Sequence, residues 1–194
     1  MVTATHDPQA TPGHAPPVRF VPVTAGDAVR LAATARQAYL PHYASLWSDG
    51  GEGYVARSFA PSVLAAEIGA PGAACWFIDT AQGTAGFLKC VAPEPARAAT
   101  LAPPAGYLYL ERLYLGPGCT GAGLGTAALD FVDGVARARG LAGVWLRAMA
   151  DEARVIAFYA RHGYVGCGTD RLASPGVVAG RETMQRLARA LAPP

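Results

Sequence analysis

A glycine-spaced run, Gly121-Ala122-Gly123-Leu124-Gly125-Thr126, stands between a strand-like stretch and a helix-like one, and this order constrains the chain more than any other feature in it. The stretch before it, Tyr107-Leu-Tyr-Leu-Glu-Arg-Leu-Tyr-Leu115, is dense in aromatic and branched residues, and Gly116-Pro117-Gly118 ends it because proline cannot donate to a ladder. From Leu124 onward, Ala128, Phe131, Val132 and Val135 recur at three- and four-residue spacing, so one helical stripe is predicted to be buried. The first four N–H groups of such a helix have no internal partners. Together with the positive end of the helix dipole they form a cradle for phosphate, and residues without a Cβ let ligand oxygens come close. The diphosphate of a nucleotide-like cofactor is the ligand this pattern suggests.

Three other readings of the run compete. A P-loop ends in Gly-Lys-Ser/Thr, and Gly125-Thr126-Ala127 has no lysine. A dinucleotide fold places its glycines after the first strand and an acidic residue at a second strand about 20 residues on. Here the run lies past mid-chain, and the next strand, Val144 to Met149, carries no carboxylate near its end until Asp151. A plain tight turn into a helix is the third reading, and only the flanking segments decide against it.

Those segments resemble the GNAT superfamily of acyl-CoA-dependent N-acyltransferases over most of the chain. The family pattern at the cofactor turn is Gln/Arg-x-x-Gly-x-Gly/Ala, met by Thr120-Gly121-Ala122-Gly123-Leu124-Gly125 with threonine in first place. Its second hallmark is a helix ending in Phe-Tyr before a glycine turn, here Phe158-Tyr159-Ala-Arg-His162-Gly163-Tyr164. Glu152 stands seven residues before the tyrosine, where the family usually has asparagine. Upstream, Tyr39-Leu-Pro-His-Tyr43, Leu46 to Tyr54, Gly86-Phe-Leu-Lys89 and Tyr109 to Tyr114 look like the bacterial polyamine acetyltransferase branch. The resemblance implies an α/β fold: a twisted, mixed, largely antiparallel sheet of six to seven strands with helices on both faces.

At 194 residues and 20.0 kDa the chain suits one domain, expected over residues 18–194 behind a disordered leader at 1–17. Apolar residues make up 52% of it, yet no uninterrupted run approaches the roughly 20 residues of a membrane span. The leader lacks the apolar centre of a signal peptide, so the cytoplasm is the expected compartment. With 16 basic residues scattered against 14 acidic ones, nothing marks a nucleic-acid partner, and Arg171, Arg181, Arg186 and Arg189 read as a solvated surface. Cys75, Cys90, Cys119 and Cys167 form no Cys-x-x-Cys pair; neither a metal site nor a disulfide framework is expected, and most of them read as core.

The remaining elements are predicted coarsely. Strands are expected at 18–23, 74–79, 84–91, 164–168 and 182–187, with a helical reading of 186–190 also open. Asp27 is expected to cap a helix over 28–39 that Pro41 stops, and Pro61 to start one closed by Gly69. An aromatic-rich loop is predicted between these helices, and a Pro- and Ala-rich linker over 92–105.

The family chemistry implies direct attack of a neutral amine on the thioester of acetyl-CoA, which requires a base for the ammonium and an acid for the departing thiolate. By resemblance Glu111 is the base and Tyr159 the acid, with an arginine-paired surface Glu111 and a merely buried Tyr159 as alternatives. Strand alternation predicts Tyr107, Tyr109, Glu111 and Leu113 on one face and Leu108, Leu110, Arg112 and Tyr114 on the other. The resemblance sets the pantetheine arm along Leu113, Tyr114 and Leu115, and the diphosphate at Thr120, Gly121, Ala122, Gly123, Leu124, Gly125 and Thr126. Glu152 and Phe158 carry over to the cofactor side, Phe158 with core as its alternative, and His162 reads as a helix C-terminal cation. Tyr43, Trp47, Asp49, Glu52 and Tyr54, beside Tyr39, offer ring faces and carboxylates to a cationic acceptor, or else cap the core. The acceptor is a polyamine, another small amine or a protein amino group, and the protein a monomer or homodimer. A degenerate fold that binds acyl-CoA as a sensor is the competing function.

Overall fold

A computed structural model of the chain describes residues 17–93 and 104–192. Seven strands, β1 (Arg19–Pro22), β2 (Ala73–Thr80), β3 (Gly83–Val91), β4 (Tyr107–Leu115), β5 (Gly143–Met149), β6 (Val165–Arg171) and β7 (Thr183–Ala190), form one sheet in the order β1-β2-β3-β4-β5-β7-β6. All neighbours are antiparallel except β4 and β5. Five helices complete it: α1 (Ala28–Tyr43), α2 (Glu52–Ser58), α3 (Pro61–Ile68), α4 (Leu124–Ala138) and α5 (Ala153–Arg161). This is the mixed, mostly antiparallel architecture expected of the sequence. The predicted leader, apart from Pro17, and most of the predicted 92–105 linker lie outside the described residues. Among the described residues no helix is long and apolar enough to cross a membrane.

Both sheet faces are covered. On one, Leu124, Ala128, Leu129, Val132 and Ala136 of α4 and Tyr159 of α5 pack on Leu88, Leu108, Leu110, Val144 and Leu146. On the other, Leu31, Ala35 and Tyr39 of α1, Val55 of α2 and Leu64 of α3 pack on Phe77 and Phe87. The buried α4 stripe runs through Leu124, Ala128 and Val132 as predicted but turns toward Leu129 and Ala136, leaving Phe131 and Val135 partly buried at its flank.

Several boundaries differ from expectation for local reasons. Pro41 does not stop α1, because in the last turn its missing N–H leaves only the exposed Gln37 carbonyl to water, and the helix runs on to Tyr43. Asp27 does not cap α1 through its side chain. Its carboxylate accepts from the Thr24 N–H at 2.9 Å and the Thr24 hydroxyl at 2.7 Å, one turn earlier. The predicted aromatic loop contains α2. Chain 183–190 is strand throughout, since it lies between β5 and β6 and both sides of its ladder are used. Of the four arginines read as solvated, Arg189 is paired with the buried Asp133 and Arg186 faces Asp170, both mostly buried. Cys75 and Cys90 are core, and burial pushes both thiols up to about 12; Cys119 is half-buried and Cys167 exposed.

The decisive irregularity is in β4. Lys89 pairs with Arg112 but Cys90 pairs with Leu110, so Glu111 is an extra residue in a β-bulge. The predicted alternation therefore holds only up to Leu110. Leu108 and Leu110 face the α4–α5 side, and beyond the bulge Leu113 and Leu115 take that side, while Tyr114 joins the α1–α3 side. A one-residue insertion exchanges the faces of every residue after it.

Candidate active site

Pairing between β4 and β5 runs from Tyr107–Gly143 to Leu110–Leu146 and stops at the bulge. Past that point β4 stays with β3, up to Leu115–Gly86, and β5 stays with β7, so the sheet forks. Gly116 donates to the Ala85 carbonyl at 2.8 Å, which makes Leu115–Gly86 a non-hydrogen-bonded pair and Tyr114–Phe87 a hydrogen-bonded one. The Tyr114 backbone is thus turned to β3, whereas the N–H groups of Leu113 and Leu115 point into the fork. Of the three residues expected to align an extended ligand, the ladder turns Leu113 and Leu115 to the gap and Tyr114 away from it. The carbonyl of Leu115 lies 3.2 Å from His42 Nε2, which ties α1 to this edge. Such close approach of β3 needs Gly86, where a Cβ would stand 2.1 Å from the Tyr114 carbonyl oxygen.

The fork opens toward the glycine loop. Gly121 and Gly123 have φ of +84° and +80°, the left-handed region other residues avoid, and a Cβ on Gly121 would meet nothing within 4 Å. Thr120, Gly121, Ala122 and Gly123 are exposed, Leu124 is anchored in the core, and the N–H groups of Leu124, Gly125 and Thr126 begin α4 without intrahelical partners. Gly125 has another task, since a Cβ there would lie 2.9 Å from the Phe158 ring, so it lets α4 and α5 touch. Phe158 is partly buried against the core. The arrangement fits an anion at the loop and an extended chain along β4.

Tyr159 is 8% exposed, and burial, with the Tyr43 and Tyr164 phenols nearby, raises its pKa beyond the ordinary tyrosine value. Among the described residues its hydroxyl has no hydrogen-bond partner. Tyr43 is half-buried, with its phenol pushed up to about 12 by burial, then by the charge of Glu152, the Tyr54 phenol and Asp151. Tyr43 thereby places the α5 N-terminus, where Glu152 sits, and Tyr159 around one space. Arg181 braces this corner: it bonds Asp151 at 2.5 Å and the Ser45 carbonyl at 2.8 Å, and lies 3.7 Å from Glu152.

Among the described residues, Glu111 faces Lys89, Nζ to Oε2 2.5 Å. Lys89 also pairs with Glu67 at 2.9 Å, and Glu67 takes two hydrogen bonds from Arg112, at 2.6 and 3.0 Å. Bulge geometry explains it, because Glu111 and Arg112 both come to the Lys89 side. Burial alone would raise the Glu67 carboxyl, but the bonds and charge of Arg112, reinforced by Lys89, hold it below the ordinary 4.5. A depressed folded-state value stabilises above the unfolded one and is lost as pH falls through the folded one. Melting temperature should therefore drop on acidification below about pH 4.5, and thermal melts of Glu67→Gln should lack that part of the drop.

The expected acceptor residues separate into two sets. Tyr39, Tyr43, Tyr54 and Trp47 form a continuous stack with centroids 4.6–4.8 Å apart, and the Trp47 indole donates to the Tyr39 hydroxyl at 2.9 Å. Tyr39 and Trp47 are buried, which is the core-cap reading, while Tyr43 and Tyr54 are half-buried and also border the site: Tyr43 beside Tyr159, Tyr54 within reach of the Glu111 charge. The carboxylates are engaged locally: Asp49 accepts from the Gly51 and Gly53 N–H groups at the start of α2, and Glu52 takes both Arg36 nitrogens at 2.5 and 2.6 Å. Sequence reasoning missed Glu67, Arg112, His42 and Arg181, whose contacts join residues far apart in the chain. It also underrated His162, which reaches Thr126.

The structure is similar to that of PaiA N-acetyltransferase from Thermoplasma acidophilum, solved in complex with coenzyme A, with a TM-score of 0.70 at 17% identity over 90% of this chain and 99% of that one. It is similar also to the ribosomal-protein-S18-alanine N-acetyltransferase of Escherichia coli (TM-score 0.66, 17% identity, 91% and 96% covered) and to an acetyltransferase from Thermus thermophilus (0.62, 21%, 92% and 100%). At these identities the likeness speaks for the fold alone. No curated protein matches the chain. The acetyltransferase (GNAT) family model matches residues 34–164, more than half of the chain, and the protein belongs to that family.

Proposed function

We propose that the protein transfers an acetyl group from acetyl-CoA to a primary amine in a ternary complex. The observation that carries this reading is the fork, whose unpaired Leu113 and Leu115 N–H groups lead directly to the glycine loop and the open N-terminus of α4. Pantetheine would pair with β4 as a further strand, and the diphosphate would meet the amides of 121–126. The PaiA relative crystallised with coenzyme A supports the same donor here.

In this reading Glu111 takes the proton of the acceptor ammonium, directly or through water, and its place at the bulge puts it where β4 leaves β5. The neutral nitrogen then forms a bond to the thioester carbonyl carbon, and an N–H of the fork stabilises the oxyanion. Tyr159 hydrogen-bonds the sulfur as the C–S bond breaks, and the extra proton that the nitrogen carries after its attack passes through water to the departing thiolate. The raised pKa of Tyr159 keeps the phenol neutral and favours a shared proton over a fully transferred one. Tyr43 and Tyr54 line the acceptor side, where ring faces and the charge of Glu152 suit a cation. A small amine fits this lining, polyamines among them on the upstream resemblance, as does a protein amino group.

The test is thiol release from acetyl-CoA with a panel of amines, beside calorimetry of acetyl-CoA binding. Leu115→Pro is the sharpest variant, since its N–H points away from β3 and no ladder bond is lost. It should weaken acetyl-CoA binding by at least about tenfold while the circular dichroism stays unchanged. Unaltered binding would remove β4 as the pantetheine strand, and binding without turnover on any amine would favour a sensor.

A further inference from the structure

Loop residues 116–126 contain no charged side chain, so what the loop itself offers an anion is amides, hydroxyls and the helix dipole. One protonatable group reaches the first turn of α4. His162, immediately after α5, places Nε2 3.0 Å from the Thr126 hydroxyl, and its Nδ1 lies 2.8 Å from the Phe158 carbonyl oxygen. A carbonyl only accepts, so Nδ1 carries a hydrogen, and in the neutral ring Nε2 must accept. The Thr126 hydroxyl then spends its one proton on the imidazole and shows a ligand only lone pairs.

Protonation reverses the bond. Nε2–H donates to Thr126 Oγ1, and the hydroxyl proton turns outward beside the first-turn amides. The ring is held for this role: it lies 4.5 Å from the Phe158 ring, and Arg189 donates to the His162 carbonyl at 2.8 Å. Among the described residues, the charged and titratable groups on the elements near it include Arg161 beside it in the chain, Asp130 and Asp133 on α4, Arg189 from β7 and the Tyr164 phenol. Arg189 and Asp133 form an ion pair, and Arg161 and Asp130 are exposed.

We propose that His162 is a positioning residue for the diphosphate of the acyl-CoA donor: it sets the direction of the Thr126 hydroxyl and, once charged, aims that proton at the ligand. This rests on acyl-CoA being the donor. A charged imidazole turns the Thr126 hydroxyl proton toward the ligand, so donor affinity should gain on acidification.

The experiment is calorimetry of coenzyme A against wild type, His162→Gln and Thr126→Val from pH 8.0 to 5.5, with pantetheine as a probe lacking the diphosphate. Comparison with the variants cancels the titration of the ligand's own phosphates. The ratio of His162→Gln to wild-type Kd should rise from about 1 at pH 8.0 to about 3–10 at pH 5.5. Thr126→Val should lose the same gain, and pantetheine should show a flat ratio. A flat ratio with coenzyme A, or an equal rise with pantetheine, overturns the proposal and leaves His162 as a helix-end residue. Wild type that binds no coenzyme A at any pH overturns the donor assignment itself, and the proposal with it.

Discussion

Tyr159→Phe should lower kcat by about a hundred- to ten-thousand-fold and leave the KM for acetyl-CoA within about twofold. The expectation follows from what the hydroxyl does not do in the folded chain. Among the described residues it bonds nothing, so its removal strands no partner, and the ring keeps its contacts with Phe158 and Tyr164 at 5.2 and 5.4 Å. Stability should change by less than about 1 kcal/mol, since phenylalanine fills the same space. A hydroxyl that acts only as C–S cleavage proceeds would change kcat and kcat/KM together, which steady-state thiol release measures directly. Because burial moves its pKa upward, ionisation of Tyr159 should impose no loss of rate below about pH 10. A variant with wild-type kcat would sink the acid assignment.

The sheet was legible because β4, the glycine loop and α4 each carry a local signal that packing does not overturn. Leu113 and Leu115 could be placed on the strand; which of their atoms face the fork could not, since that depends on the register with β3. The bulge at Glu111 was invisible for a similar reason. It contains no glycine, and Leu110, Glu111 and Arg112 fit a regular strand equally well until Lys89 and Cys90 are known to oppose Arg112 and Leu110. Asp49 and Glu52 have the residue types of a cation site, yet an N-terminal turn and Arg36 claim them. The contact of His162 with Thr126 joins positions 36 apart, and no spacing rule reaches across the end of two packed helices.

The bulge also explains why Lys89, in the middle of a β-strand, tolerates burial to 7% exposure. By bringing Glu111 and Arg112 to the same side, it gives the ammonium two carboxylates, Glu67 and Glu111, and gives Glu67 a second cation. Among the described residues, charges of both signs then meet in a half-desolvated pocket around the proposed base. Lys89→Met removes the cation that Glu67 and Glu111 share. Removing one partner from a buried pair costs about 3–5 kcal/mol, and the low end applies because the carboxylates remain 21–28% exposed. About 3 kcal/mol in a domain of this size is a fall in Tm of roughly 6–12 °C. The double variant Lys89→Met with Glu111→Gln separates charge from packing: it should recover a measurable part of the loss, because the neutral amide no longer needs a cation. If the double variant melts lower than Lys89→Met, the stability came from the lysine stem and its packing, and Glu111 owes its position to the strand rather than to the ion pair.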